Sequence, residues 1–203
     1  MIYATSDIET KLWTKYKLIC GVDEVGRGCF AGPVVAGAVI FSPECVFPEG
    51  IADSKLLKPK VREELAKRIE DKAEAWAIGE VDVQTINELG IGKATQIAFQ
   101  KAVNSLDPKA EFIIIDAFYI DYFDKIFQLP IKNGDKLSVS IAAASIIAKV
   151  YRDKLMEKLE EEYPDYGFAK HKGYGTKEHR DALKKKGLSP IHRTSFNLDK
   201  FLI

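Results

Sequence analysis

The sequence predicts an α/β fold: a mixed β-sheet flanked by helices, with a helical C-terminal portion. Three observations carry this expectation. Short β-prone runs alternate with longer stretches whose apolar residues recur at helical spacing. The first two runs flank a glycine-rich turn, which suits a hairpin, whereas the later ones are separated by whole helices, which suits crossovers. Beyond residue 164 the chain becomes basic and glycine-punctuated, with no further strand pattern.

The elements follow in order. Residues 18–23 (Leu-Ile-Cys-Gly-Val-Asp) and 34–41 (Val-Val-Ala-Gly-Ala-Val-Ile-Phe) read as two strands around a turn holding Gly26, Gly28, Gly32 and Pro33. They are expected as a hairpin at one edge of the sheet. Pro59 then stands where a first helical turn accepts it, and Val61, Leu65 and Ile69 mark one helical face. Residues 76–83 alternate well enough for a third strand. Ala94, Ile97, Ala98 and Ala102 form the next helical face. Residues 112–115 (Phe-Ile-Ile-Ile) are a continuous apolar run ending in Asp116, the pattern of a buried central strand. From Ser140 a long helical pattern runs through Ile141, Ala144, Ile147, Ala148, Met156 and Leu159, and stops near Tyr163 and Pro164. The expected organisation is a core over residues 1–163 with a basic helical or irregular segment, residues 164–203, packed on it.

Composition bounds the function. The chain has 203 residues and 22.7 kDa, of which 46% are hydrophobic and 30% charged, so it can bury a real core. Thirty basic and thirty acidic side chains cancel, and any nucleic-acid binding must rest on local clustering. Cys20, Cys29 and Cys45 fit no metal spacing, and their odd number argues against a disulfide framework. The first eleven residues include Asp7 and Glu9 and lack the basic start and apolar run of a secretory signal. The uncharged stretch at residues 29–42 is too short to span a bilayer. A cytoplasmic monomer with no membrane segment is the expectation.

The densest chemical signal is Gly21-Val22-Asp23-Glu24-Val25-Gly26-Arg27-Gly28. Two adjacent carboxylates end an apolar strand and a flexible turn follows at once. Such acids are placed to bind a hard cation, or simply to cap the strand into a solvated turn. The glycines do not make a dinucleotide fingerprint, because a strand follows where a phosphate-binding helix is required. Asp116, at the end of its buried strand, is either an α/β active-site acid or a loop cap. Asp135, in Asn133-Gly134-Asp135-Lys136 ahead of the small-residue helix, is a third candidate or an N-cap. Four carboxylates from three segments, each at an element's end, make a plausible two-metal constellation. If both Asp23 and Glu24 serve it, their strand must end, twist or bulge there, since neighbours on a regular strand face opposite ways.

The last segment suggests the substrate. Between residues 164 and 193 lie eight basic residues against three acidic ones, together with all three histidines, His171, His179 and His192. Tyr166, Phe168 and Tyr174 interleave with them, as backbone tracking and base stacking require. A solvated helical face explains Lys184 to Lys186 equally well. Gly173-Tyr174-Gly175-Thr176 is harder to explain that way, because an aromatic flanked by glycines is well presented for contact.

Together these residues resemble a family. Gly-Val-Asp-Glu-Val-Gly-Arg-Gly-Cys-Phe-Ala-Gly-Pro at 21–33 closely resembles the opening motif of type 2 ribonucleases H, the ribonuclease HII family. The resemblance continues through Asp53-Ser54-Lys55-Leu56, Asp116, Gly134-Asp135, residues 140–149, Arg152-Asp153, Lys172-Gly173-Tyr174-Gly175-Thr176 and His192-Arg193-Thr194-Ser195-Phe196. The last of these looks like the bacterial branch. The resemblance implies a ribonuclease H-like sheet and an active site of Asp23, Glu24, Asp116 and Asp135 that binds Mg²⁺ or Mn²⁺. It implies that Gly26, Arg27 and Gly28 read a ribose 2′-hydroxyl, that Tyr174 stacks on a neighbouring deoxyribose, and that Lys55, Lys149 and Lys172 contact phosphate or shape the site. Asp153 is read as structural. One departure is Ala117, where the family pattern has glycine.

The implied activity is a metal-dependent endoribonuclease. It would hydrolyse the RNA strand of RNA–DNA hybrids and nick duplex DNA 5′ of an embedded ribonucleotide, leaving 3′-hydroxyl and 5′-phosphate ends. The competing expectations are another nuclease on the same sheet, such as a junction resolvase, and a nucleic-acid-binding module with a defunct site. Leu198, Phe201 and Leu202 also fall at the spacing of peptides that bind DNA sliding clamps, although Ser195 stands where such peptides carry glutamine. The alternative is that this tail folds back on the protein's own core.

Overall fold

The structure is a computed structural model that describes residues 3–202. A short helix α1 (Asp7–Leu12) precedes the hairpin strands β1 (Ile19–Val25) and β2 (Val34–Ile40). Helix α2 (Pro59–Lys72), strand β3 (Ala75–Val81), helix α3 (Val83–Asn104) and strand β4 (Phe112–Asp116) follow. Strand β5 (Gln128–Ile131), the one-turn helix α4 (Gly134–Leu137) and the long helix α5 (Val139–Glu162) complete the core, and α6 (Phe168–His171) and α7 (Lys177–Lys186) lie beyond it.

The five strands lie in the order β3-β2-β1-β4-β5. β2 runs antiparallel to both β1 and β3, while β4 runs parallel to β1 and β5 parallel to β4. The hairpin is therefore interior, not at an edge. β3 adds to the outer side of β2, and the crossover through α3 seats β4 against the remaining free side of β1. Among the elements that escape the sequence patterns are α1 and β5. α1 is six residues long, and β5 is four residues and contains Pro130, which only an edge strand tolerates.

The sheet is covered on both faces. Cys20, Val22, Ile113 and Ile115 pack against Ala94, Ala98, Phe99 and Ala102 of α3. On the other face Ile19, Phe112 and Ile114 pack on Ile141, while Leu65 and Ile69 of α2 close over Ala142, Ala143 and Ile146 of α5. Pro59 opens α2 as its preset φ favours. Val61, however, is 48% exposed, because the buried stripe of that helix runs through Arg62, Leu65, Ala66 and Ile69. Asp82 caps α3 by accepting from the Thr85 N–H at 2.7 Å, so the third strand stops at Val81 rather than 83. Ser138 caps α5, and the buried carboxylate of Glu9 in α1 holds that cap, accepting from the Ser138 hydroxyl at 2.5 Å and the Ser140 N–H at 2.9 Å.

Beyond Glu162 the chain folds over the 26–33 turn. Tyr166 stacks on Phe168 with ring centres 5.2 Å apart, and Phe168 packs around His171, His179 and His192. The expected open stacking surface is thus a small buried cluster, because these aromatics face one another across the α6–α7 corner. Lys184, Lys185 and Lys186 are exposed, the solvated face of α7. The tail folds back: Leu198 is buried and Phe201 stacks on Phe30 at 5.2 Å. All three cysteines are free, and among the described residues no helix is long and apolar enough to cross a membrane.

Candidate active site

The carboxylates gather where the parallel part of the sheet ends. The β1–β4 ladder stops at the Val22–Ile115 pair, so Asp23 and Asp116 are the next residues on neighbouring parallel strands. Alternation puts Asp23 on the face of Ile19, and Asp116 on the same face with Phe112 and Ile114. Ligand sites of open α/β sheets lie at such carboxyl ends.

Glu24 has the opposite parity. Its ladder with β2 is regular through the Glu24–Ala36 and Val25–Val35 pairs, so the anticipated bulge is absent. The strand has instead lost its β4 neighbour there, and the open end leaves the Glu24 carboxylate within the fields of Asp116, Arg27 and Lys55. Arg27 Nη1 lies 4.0 Å from Glu24 Oε1.

Asp135 sits in the first turn of α4 and is buried. The turn is tied to the sheet by the Gly134 N–H, which donates to Asp116 Oδ1 at 2.7 Å. The neighbouring Asp53, buried in a turn where it accepts from the Lys55 N–H at 3.0 Å, adds a fifth carboxylate to the same field. Asp53 is the site acid that reading the sequence missed: alone it is an ordinary turn aspartate, and only the fold brings it beside Asp135.

These groups repel. Burial raises the Asp23 carboxyl well above its ordinary range, and the charges of Glu24 and Asp116 add to the effect, against a nearby Ser145 hydroxyl. Burial likewise raises Glu24, opposed by Arg27, and raises Asp135, reinforced by Asp53 and Asp116. Glu24 Oε2 is buried without a hydrogen-bond partner. Such an oxygen among other carboxylates costs free energy that a cation would recover. Hard oxygen donors of this kind fit Mg²⁺ or Mn²⁺. Among the described residues no three His, Cys, Asp or Glu side chains already converge as a closed metal cage.

The Gly26-Arg27-Gly28 turn borders this cluster, and its two glycines do different work. Gly26 has φ +88°, and a Cβ there would run into the guanidinium of Arg152. At Gly28 a Cβ would meet nothing, so that position faces open space. Arg27 lies over the Phe118 ring at 4.5 Å. Beneath the turn lie two fully buried arginines. Arg193 donates to the carbonyls of Arg27, Gly32 and Pro33 at 2.8–3.1 Å, and Arg152 donates to those of Ala31, Pro33 and Lys172 at 2.7–3.0 Å. Ala117 follows Asp116 with φ +63°, a conformation glycine adopts without strain.

The remaining candidates form a second group. Asp153 accepts from Arg62 at 3.1 Å and Lys149 at 2.6 Å, which makes it a structural brace. Lys149 also stands 5.5 Å from the centre of the half-buried Tyr174 ring. Burial pushes the Tyr174 hydroxyl up to about 12, with Cys29 beside it. Lys172 pairs with Glu157 at 2.5 Å. Lys55 is an exposed cation whose charge acts on both Glu24 and Asp135. Asp23, Glu24, Asp116, Asp135, Arg27 and Lys55 are thus brought together, while Tyr174 and Lys149 belong to the second group and Lys172 pairs with Glu157.

Comparison with known proteins is consistent with this arrangement. A family model described as Ribonuclease HII matches residues 20–199. A ribonuclease HII of Acetivibrio thermocellus is 53% identical over 181 residues, covering 89% of this chain and 70% of that protein. Among solved structures, the ribonuclease H2 of Pyrococcus horikoshii superposes with a TM-score of 0.74 at 26% identity, covering 91% of this chain and 99% of its own. A ribonuclease HII of Archaeoglobus fulgidus, solved in complex with PCNA, gives 0.70 at 26% identity over 89% of this chain and 96% of its own.

Proposed function

The chain belongs to the ribonuclease HII family, and from that premise we propose that it is a metal-dependent endoribonuclease acting on the RNA strand of RNA–DNA hybrids and 5′ of single ribonucleotides embedded in duplex DNA. The observation that carries the reading is the field shared by Asp23, Glu24 and Asp116 at the open end of β1, with the Gly26-Arg27-Gly28 turn directly beside it. A resolvase needs the acids but not a glycine turn that presents its backbone to a sugar. A binding module needs no cluster of buried, mutually repelling acids.

In this reading Asp23, Glu24, Asp116 and Asp135 hold two divalent cations, Mg²⁺ or Mn²⁺. When bound there, such ions lower the pKa of water and stabilise a leaving alkoxide, which suits in-line attack that leaves 3′-hydroxyl and 5′-phosphate ends. Gly26 and Gly28 bring main-chain groups up to the ribose 2′-hydroxyl, the group that distinguishes RNA from DNA. Arg27 stands over the same junction. Tyr174 stacks on a neighbouring deoxyribose, and Lys55, Lys149 and Lys172 contact phosphate or shape the site. The basic segment after residue 163 carries Tyr174 and Lys172 to the site.

The deciding experiment uses a labelled duplex carrying one ribonucleotide, incubated with the protein in Mg²⁺, in Mn²⁺ and in chelator. Cleavage 5′ of the ribonucleotide that requires the metal is the expected result. Cleavage of an all-DNA four-way junction, or retention of the duplex without cutting, would overturn the reading.

A further inference from the structure

The three histidines take no part in the chemistry above, yet they are buried together against the loop that carries Tyr174. His171 and His179 stack with ring centres 4.3 Å apart, 11° from parallel, and His179 Nε2 lies 3.0 Å from His192 Nε2. The relative exposure of His179 is 0% and of His192 1%. In a neutral imidazole one ring nitrogen donates and the other accepts.

The neighbours decide which nitrogen carries the proton. His179 Nδ1 lies 2.9 Å from the Tyr174 carbonyl, which only accepts, so Nδ1 donates and Nε2 keeps a lone pair. His192 accepts at Nδ1 from the Ser189 N–H at 2.8 Å, with the Ser189 hydroxyl also at 2.8 Å, so its Nε2–H donates to His179 Nε2. His171 accepts at Nδ1 from the Gly173 N–H at 3.2 Å and donates from Nε2 to the Tyr166 carbonyl at 2.7 Å. One arrangement of protons satisfies these contacts and leaves only the longer 3.3 Å approach of His192 Nδ1 to the Ser189 carbonyl without a hydrogen. Burial supports it by pushing both His179 and His192 down to about 4.

The cluster ends on the main chain of two consecutive residues, the Gly173 N–H through His171 and the Tyr174 carbonyl through His179. The opposite side of this loop is held by the Phe30 N–H, which donates to the Gly173 carbonyl at 2.8 Å. The Tyr174 ring thus has a backbone fixed from two directions before any ligand arrives, which spares binding the cost of ordering it.

We propose that His179 and His192, with His171 stacked beside them, are positioning residues that fix the backbone of Gly173 and Tyr174 and so set the tyrosine ring in place to recognise the substrate sugar. This rests on Tyr174 being a substrate contact, so the test must separate the two claims.

Phenylalanine at 179 keeps the stack and the volume but cannot donate to the Tyr174 carbonyl, whereas an asparagine amide can. Tyr174→Ala, His179→Phe, His179→Asn and the double variant Tyr174→Ala/His179→Phe are compared by kcat and KM on a duplex with one ribonucleotide in Mg²⁺. Tyr174→Ala and His179→Phe should raise KM by similar factors, roughly 5- to 150-fold if a stacking contact is lost. The double variant should be no worse than Tyr174→Ala, and His179→Asn should recover most of the loss. Additive losses, or a normal KM in His179→Phe while Tyr174→Ala is impaired, would overturn the positioning role alone. An unimpaired Tyr174→Ala would remove the sugar contact and the proposal with it. Should His179→Phe fail to fold, imidazole ¹⁵N spectra of the unaltered protein at pH 7 decide. They should show His179 protonated on Nδ1, and His171 and His192 on Nε2; a proton on His179 Nε2 would refute this arrangement.

Discussion

The Gly134 N–H donates to Asp116 Oδ1 at 2.7 Å, so one carboxylate oxygen is committed to the protein while the other is left for the site. Asp116→Asn preserves an acceptor for that bond but removes the charge. Rates should fall by roughly 10²–10⁴-fold, the several kcal/mol that charge stabilisation at such centres supplies. Asp116→Ala should lose activity to the same degree and also about 1 kcal/mol of stability, because α4 loses its tether. Denaturant melts of both variants beside single-turnover rates separate the two effects, and near-normal turnover in Asp116→Asn would remove it from the catalytic set.

Ala117 holds a left-handed backbone at φ +63°. Glycine there relieves strain of about 1–2 kcal/mol, part of which its extra freedom in the unfolded chain takes back. Ala117→Gly should therefore raise the melting temperature by roughly 2–4 °C, the shift that about 1 kcal/mol produces in a chain of this size. A lower melting temperature would show that the conformation is relaxed.

The turn glycines should separate folding from recognition. Gly28→Ala has room, so it should melt like the unaltered protein while losing activity on an embedded ribonucleotide. Gly26→Ala must displace Arg152 at a positive φ and should lose about 1–3 kcal/mol. Equal stability in the two variants would contradict the packing described here.

The contribution of His179 and His192 to stability should fall on acidification below pH 6.5. His179 and His192 bind protons less readily when folded, at about 4, than in the unfolded chain at 6.5. The unfolded state therefore carries more protons across that window and gains as pH falls. The buried acids act in the opposite direction, since raised carboxyl groups favour the folded state at low pH, so the comparison must be with His179→Phe. Between pH 7 and 5 the stability advantage of the unaltered protein over that variant should narrow by about 1–2 kcal/mol. An advantage that does not change would mean that folding leaves the proton affinity of His179 unaltered, contrary to its burial.

The tail offers a fifth measurement. Leu198 is buried and Phe201 lies between Phe30 and the Arg180 guanidinium, 5.7 Å from its ring. Deleting residues 198–203 should cost about 2 kcal/mol of burial, a fall of roughly 4–8 °C. Docking on a sliding clamp would require Leu198, Phe201 and Leu202 to leave this seat. Retention of the intact chain on an immobilised clamp, lost on deletion with the melting temperature unchanged, is the opposite outcome.

How much of this the sequence discloses depends on whether a residue's role is set locally. α5 and β4 are legible because long apolar periodicities need no partner to be recognised, and Asp116 is legible because it ends one. β5 is not. Its Gln128 is buried because its amide bonds the main chain of Ile120 and Phe123, a purely tertiary fact. The interior place of the hairpin is hidden as well, since it depends on where the α3 crossover lands. Phe168 and the histidines read as an open basic surface because spacing alone cannot say which way two short helices turn their faces.

Arg152 and Arg193 carry a further consequence for how the protein opens and closes. Their guanidinium groups join main-chain carbonyls of residues 27–33 to a helix and a segment far along the chain. The turn beside the acids has no comparable scaffold of its own, so it cannot hold its shape while residue 193 is away. Amide hydrogens of the turn and of the final segment should thus exchange as one cooperative unit. A nascent chain, by the same logic, would build its sheet first and acquire a finished turn only once Arg193 has arrived.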